Sequence, residues 1–424
     1  MISASGTGDL TGRTHRGALA VLAASAFVYV TAETLPVGLL PQISQGLSVS
    51  EAQVGLLLTT YAALAAITTI PLTALTMRIP RHQLMAVLVA VFAVSQLAAG
   101  LSPNFQLLTV SRLFCALAHG VFWSAIAPVA ARLAPPGRSG RATSLVFLGN
   151  SLALVLGVPL GTALGQWAGW RVAFFALAVA GTLSTLALLT VLPHLPAVTP
   201  MDGAASDGAT SNGAVVDTPT ARIRAALAVI RSRQITAIAA VTTVLVVGQF
   251  AAYTYIAPLV RDSAGLSGVA LSALLLGYGG AGLLGTVVVG RFVDQRPGPT
   301  LAICVAVVSA ALLALSIGHG RLFTVLAVLA WGAAFTAIPV PLQSAVLRVA
   351  PRSQDAASAV YVVAFQIGIG GGALVGERIF SGGGLHALPA LGAGLALAAV
   401  IIVAGARKVF PLSITPLRPA ECSL

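Results

Sequence analysis

The sequence predicts an all-α membrane protein, with twelve transmembrane helices arranged as two pseudo-symmetric six-helix bundles. Three observations carry this. Hydrophobic residues make up 57% of the 424 and charged residues only 8%, where soluble domains run to about 25% charged. The apolar residues form long unbroken runs. Only helices and closed barrels satisfy every backbone group in lipid, and such runs exclude the short alternating strands of a barrel. The third observation is an internal echo between the two halves.

The runs fall at 18–40, 54–76, 82–101, 106–132, 141–165, 171–192, 235–259, 268–290, 299–317, 322–347, 355–377 and 386–406. Each is close to the ~20 residues that cross hydrocarbon. The first run is too long for a signal peptide and lacks a small-residue cleavage site, so it reads as a retained span. Residues 194–233 form the one long polar segment, and its centre, Met201 to Gly213, has almost nothing to bury. It reads as a flexible linker. The predicted organisation is an N-terminal bundle over 1–193, a cytoplasmic linker over 194–233, and a C-terminal bundle with a short tail over 234–424.

Basic residues orient the spans. With the N-terminus inside, 18 Lys and Arg fall in inner connections and tails and four, Arg171, Arg261, Arg321 and Arg378, in outer ones. That asymmetry predicts both termini and the linker on the cytoplasmic side of the inner membrane. The echo is in motif and spacing. The turn Met77 to Arg81 after span two corresponds to Gly290 to Pro297 after span eight. Gly149, Gly157, Gly161 and Gly165 of span five correspond to Gly368, Gly372 and Gly376 of span eleven. Two parallel six-helix repeats describe the major facilitator architecture, with the solute site expected between the halves near the midplane.

Composition also excludes other classes. The net charge of +12 is accounted for by the inner connections, and no basic patch interleaved with aromatics marks a nucleic-acid module. Cys115, Cys304 and Cys422 stand singly, without metal-ligand or disulfide spacing, and read as small core residues. No metal and no cofactor is expected, the proton gradient supplying the energy. An intramembrane hydrolase would need a base or a metal motif, and no HExxH pattern occurs. Proline-broken repeats favour a carrier over a static pore.

Of the eleven acidic residues, Glu33 alone is predicted deep in a span, where an ionised acid is costly and usually kept for function. It lies ~22 Å along the first helix from the inner side, and Arg112 ~9 Å into span four from the outer side. In a core ~30 Å thick these depths nearly coincide. Desolvation favours the neutral acid and a neighbouring cation the carboxylate, so the pair suits proton loading and release; a static ion pair joining the two spans is the other reading. His119 and Trp123 share a helix face one turn apart. Mid-span Asn150, Gln249, Tyr253, Tyr361 and Gln366 complete the candidate solute contacts, although such groups also join helices to one another. Gly157, Pro159 and Gly161 mark a close-packing, hinge-like face, and Asp294 a gating position after span eight.

Thr31 to Leu40, Ser111-Arg112 through His119 to Ser124, Leu156 to Gly161, Gly169 to Arg171 with Phe174-Phe175, and Ala252 to Pro258 together resemble the SotB-like sugar efflux transporters. These belong to the drug:proton antiporter branch of the major facilitator superfamily. The resemblance covers nearly the whole chain apart from linker and tail, and the run His119 to Ser124 is its most specific part. It implies that Arg112 is the span-four arginine of the superfamily and that Gly157 to Gly161 is the antiporter motif of span five. Two positions depart from the pattern. Met77 stands where the superfamily usually has an aspartate, which weakens or removes a gating contact in the first half, while Asp294 keeps it in the second. Ala257 stands where the sugar-efflux pattern favours an acid. The expectation is a proton-coupled antiporter that exports small neutral solutes, sugars or sugar analogues first, with an amphenicol-like drug or a nucleoside as alternatives. Its partners would be solute, protons and membrane lipids, and it would act as a monomer.

Overall fold

The computed structural model describes residues 7–197, 219–318 and 320–414. The linker centre Met201 to Gly213 and the tail residues Arg418, Glu421 and Cys422 lie outside them. Among the described residues every regular element is helical. Twelve helical stretches are long and apolar enough to cross a membrane, His15–Pro36, Gln53–Thr76 and ten more, and they match the twelve runs.

The first run forms α1 (Thr7–Gly38), and a short α2 (Leu40–Leu47) follows it, with Pro41 in its first turn, where a missing N–H costs nothing. Then come α3 (Glu51–Thr76), α4 (Arg81–Gly100) and α5 (Phe105–Arg132). Ser50 and Gln53 form a reciprocal capping box that starts α3, satisfying two of its orphan donors. Span five consists of α6 (Ser139–Leu152), a π turn over Ala153–Gly157, and α7 (Val158–Ala168). Pro159, the second residue of α7, has no N–H to return to the preceding turn, and the wider turn ahead of it absorbs the mismatch. α8 (Trp170–Val191) closes the first half.

After the polar connection come α9 (Pro219–Val229), α10 (Arg233–Tyr253), α11 (Ile256–Ala264), α12 (Gly268–Phe292) and α13 (Pro297–Ile317). They are followed by α14 (Arg321–Ala337), α15 (Pro339–Val349), α16 (Gln354–Ser381) and α17 (Ala387–Gly405). Span seven is broken at Thr254-Tyr255, ahead of Pro258, and span ten at Ile338, ahead of Pro339. Prolines therefore mark the breaks in spans five, seven and ten.

The described residues pack as two compact units. One is drawn from Met1–Val129, Gly157–Thr236 and Val346–Val363, the other from Ala130–Leu156, Ala237–Ala345 and Ala364–Leu424. In the first unit, α1 lies against the glycine face of α7. A Cβ added at Gly157 would strike Thr31 and Phe27, one at Gly161 would strike Leu35, and one at Gly165 would strike Leu39. In the second unit, α10 lies against α16 in the same way: Gly368 faces Val246, Gly372 faces Val247 and Phe250, and Gly376 faces Ala251. Glycines four apart allow this backbone approach in both repeats. Overpacking such a seam costs about 1–3 kcal/mol. Gly157→Val is thus expected to lower the thermal unfolding midpoint of the purified protein. An unchanged midpoint would show that α1 is not held at this seam.

Candidate functional site

In the first unit the site is built on α5. Arg112, Cys115, His119 and Phe122 fall three or four residues apart, so one helix face carries all four. Tyr29 of α1 wedges against this face: its ring stacks on Phe122 at 4.1 Å and lies 4.6 Å from Phe92 of α4. Its hydroxyl donates to Leu88 O at 2.8 Å. Each aromatic pair contributes about 0.5–1.5 kcal/mol beyond area burial. This contact fixes the rotation of α1 and so aims Glu33, one turn later, towards α5.

Arg112 is 2% exposed. Its Nη2 donates to the main-chain oxygen of Glu33 at 3.4 Å, and its guanidinium lies over the Tyr61 ring at 4.9 Å, a cation–π arrangement. Among the described residues its Nε and Nη1 have no hydrogen-bond partner. The Glu33 carboxyl is half-buried, within electrostatic reach of Arg112, yet it is not tied up in an ion pair. The two spans are therefore joined through the backbone of Glu33. Tyr61 Oη and His119 Nδ1 lie 2.9 Å apart, so one ring nitrogen of the buried histidine is already engaged. Trp123 sits beside it, its ring 6.2 Å from the imidazole. Cys115, expected as a plain core residue, accepts from Gln96 Nε2 at 3.5 Å and lies 3.7 Å from Tyr61 Oη.

The second unit holds a neutral counterpart. Gln249 of α10 accepts from Trp331 Nε1 of α14 at 2.5 Å and donates to Tyr278 Oη of α12 at 3.0 Å. Both ends of the amide are consumed, so Gln249 holds three helices together. Tyr253, one turn later, rests its ring 5.3 Å from Tyr278 and 6.1 Å from Trp331. Its own hydroxyl makes no hydrogen bond among the described residues and it remains part-exposed. Asn150 is part-exposed on α6, next to Ser151, whose hydroxyl lies 3.3 Å from Thr286 Oγ1 of α12. Gln366 is buried with its Nε2 unpartnered. Tyr361, also buried, belongs to the first unit. Tyr278 and Trp331 are not among the sequence candidates; an aromatic side chain with a polar tip in mid-span is the signal that could have found them.

Two acids hold helix starts. Asp294 accepts from the backbone N–H groups of Gly140 at 2.7 Å and Arg141 at 3.0 Å. This places a carboxylate on the first turn of α6, where unsatisfied donors and the helix dipole favour it. Arg81, at the start of α4, pairs through Nη2 with Asp355, in the first turn of α16, the two being 2% and 3% exposed. Arg81 Nη1 also donates to Thr76 O at 3.2 Å. Among the described residues, no group of three or more His, Cys, Asp or Glu comes together as a metal site.

A family model described as Major Facilitator Superfamily matches residues 22–373. Two proteins of Mycobacterium tuberculosis, from strains CDC 1551 / Oshkosh and ATCC 25618 / H37Rv, are each named a chloramphenicol efflux pump. Each is 39% identical over 370 residues, which is 85% of this chain and 85% of theirs. Among solved structures, the E. coli fucose:proton symporter FucP superposes with a TM-score of 0.70 at 18% identity, covering 91% of this chain and 98% of that one. The human organic anion transporter TETRAN gives 0.71 at 15% identity, covering 93% and 99%. At these identities the two structures share the fold.

Proposed function

The chain belongs to the Major Facilitator Superfamily and is a multi-pass membrane transporter rather than an enzyme, and from that membership we propose that it is a proton-coupled antiporter exporting small neutral solutes by alternating access. The proposed setting is the inner membrane, with both termini and the polar connection cytoplasmic, which the asymmetry of Lys and Arg supports. Glu33 is the proton site and Arg112 its electrostatic partner. Protonation favours one state of the carrier and solute the other, so each ligand shifts the same equilibrium.

The solute we favour is an amphenicol-like compound, an aryl ring bearing neutral hydrogen-bonding groups. The observation that carries this choice is the Tyr253 group: an aromatic, uncharged surface with one unspent hydroxyl, backed by Tyr278, Trp331 and Gln249. A flat ring packs on such a face in the offset or edge-on manner of aromatic pairs. The two 39% identical relatives named as chloramphenicol efflux pumps support it. Sugar efflux is the second reading, favoured by the run His119 to Ser124. Against it, the imidazole already spends Nδ1 on Tyr61.

Counterflow in proteoliposomes with labelled chloramphenicol, arabinose, a thiogalactoside and a nucleoside separates the readings. Saturable chloramphenicol counterflow with none for the sugars is the expected outcome, and the reverse pattern would overturn the choice of solute. Tyr253→Ala is expected to raise the KM for chloramphenicol about tenfold, equivalent to about 1.4 kcal/mol, whereas Tyr253→Phe, which keeps the ring, should raise it only about threefold by losing one neutral hydrogen bond. Equal effects from the two changes would assign the contact to the hydroxyl alone.

A further inference from the structure

The helix α9 lies outside the transport machinery described above, and its two faces differ sharply. One face is apolar and docked: Ala226 packs with Ala74 of α3 and Ala356 of α16, flanked by Ile70, Ile223 and Val229. Ala74 is in the last turn of α3 and Ala356 in the first turn of α16, so α9 lies at the level of the span ends. The chain enters the next span at once. Ile230, Arg231 and Ser232 turn through bonds to Leu227, Ala228 and Val229, and α10 begins at Arg233.

The opposite side carries Arg224, Leu227 and Ala228, three or four residues apart on α9, with Arg231 in the turn that follows the helix. These four line an open pocket of about 330 Å³. All are exposed, Leu227 to 45%. Neither guanidinium pairs with an acid among the described residues. Two cations without an acid partner among the described residues, one on α9 and one in the turn after it, thus line the same pocket as the apolar side chains of Leu227 and Ala228 at the level of the span ends. A free phosphate would use the cations and leave exposed Leu227 in water. A phospholipid uses both, its phosphate between the guanidiniums and its glycerol and acyl chain over Leu227 and Ala228.

We propose that this face of α9 is a binding site for the headgroup phosphate of an anionic phospholipid, held by Arg224 and Arg231 with its acyl chain laid over Leu227. The occupied site tethers α9 to the bilayer while its other face remains seated on α3 and α16.

The test uses the purified full-length protein and reads lipid retention by native mass spectrometry, with phosphatidylglycerol, phosphatidylcholine and inorganic phosphate as separate probes. Phosphatidylglycerol should be retained in preference to phosphatidylcholine, and excess inorganic phosphate should not displace it. The double variant Arg224→Gln/Arg231→Gln should weaken that retention roughly tenfold or more, given the worth of two basic residues at a lipid surface. Arg407→Gln/Lys408→Gln removes equal charge from the exposed end of α17 and should leave retention unchanged. Three results would overturn the proposal: no preference for phosphatidylglycerol, equal loss in both double variants, or displacement by inorganic phosphate.

Discussion

Glu33→Gln is expected to abolish uphill efflux driven by a pH gradient while leaving downhill counterflow of solute in place. Glutamine keeps the size and polarity of the side chain but carries no exchangeable charge, so the proton can no longer select between conformations. The geometry separates this from a structural effect. Arg112 bonds to the main-chain oxygen of Glu33 and not to its carboxyl, so the variant keeps the contact that joins α1 to α5. Unfolding stability should therefore change by less than about 1 kcal/mol, while the gradient-driven rate falls to background. Proteoliposomes with an imposed pH gradient, compared with counterflow at uniform pH, provide both readouts. Retained uphill transport would remove Glu33 from the coupling site. A large loss of stability with intact coupling would make it a structural residue.

Breaking the Arg81–Asp355 pair is expected to produce the largest stability loss of any surface-to-core polar change in the protein. Both side chains are almost fully buried, and removing either partner breaks the pair in a poorly solvated place, a cost of about 3–5 kcal/mol. Arg81→Met alone and Asp355→Leu alone should each lower the unfolding midpoint substantially. The double variant, which removes both charges, should recover most of the loss, since apolar replacement of a buried pair is often neutral. A double-mutant cycle on thermal unfolding measures the coupling. If the two single losses simply add, the residues do not act as a pair.

Arg81 and Asp355 also show where sequence reading stopped. Met77 announced that the usual acid was missing, but nothing in composition or periodicity indicated that a basic residue four positions on would meet an acid 274 residues away. Asp355 was legible as a residue at a span end, yet a span end can be solvated or buried, and hydropathy does not distinguish them. Gln249 gives the same lesson. A lone amide in mid-span needs partners, because unsatisfied polar groups in hydrocarbon are costly, but Tyr278 and Trp331, which satisfy it, come from two other spans. Cys115 read as a small core residue because it stands singly, without metal-ligand or disulfide spacing, and it is buried in the core; its polar neighbours, Tyr61 and Gln96, belong to other helices.

What the sequence by itself determined is the helical membrane fold, its twelve spans and the glycine seams. These follow from one-dimensional quantities: the length of apolar runs against a fixed bilayer thickness and the spacing of small residues. What only the tertiary structure decided is which side chains share a neighbour. It set Arg112 on the backbone of Glu33 rather than on its carboxyl, consumed Gln249 as a brace and left Tyr253 as the unspent group, and buried Arg81 against Asp355. The physical reason is that lipid selects helices for being apolar but does not choose among their faces. That choice rests on close packing and on satisfying each buried polar group, and both depend on residues far apart in the chain.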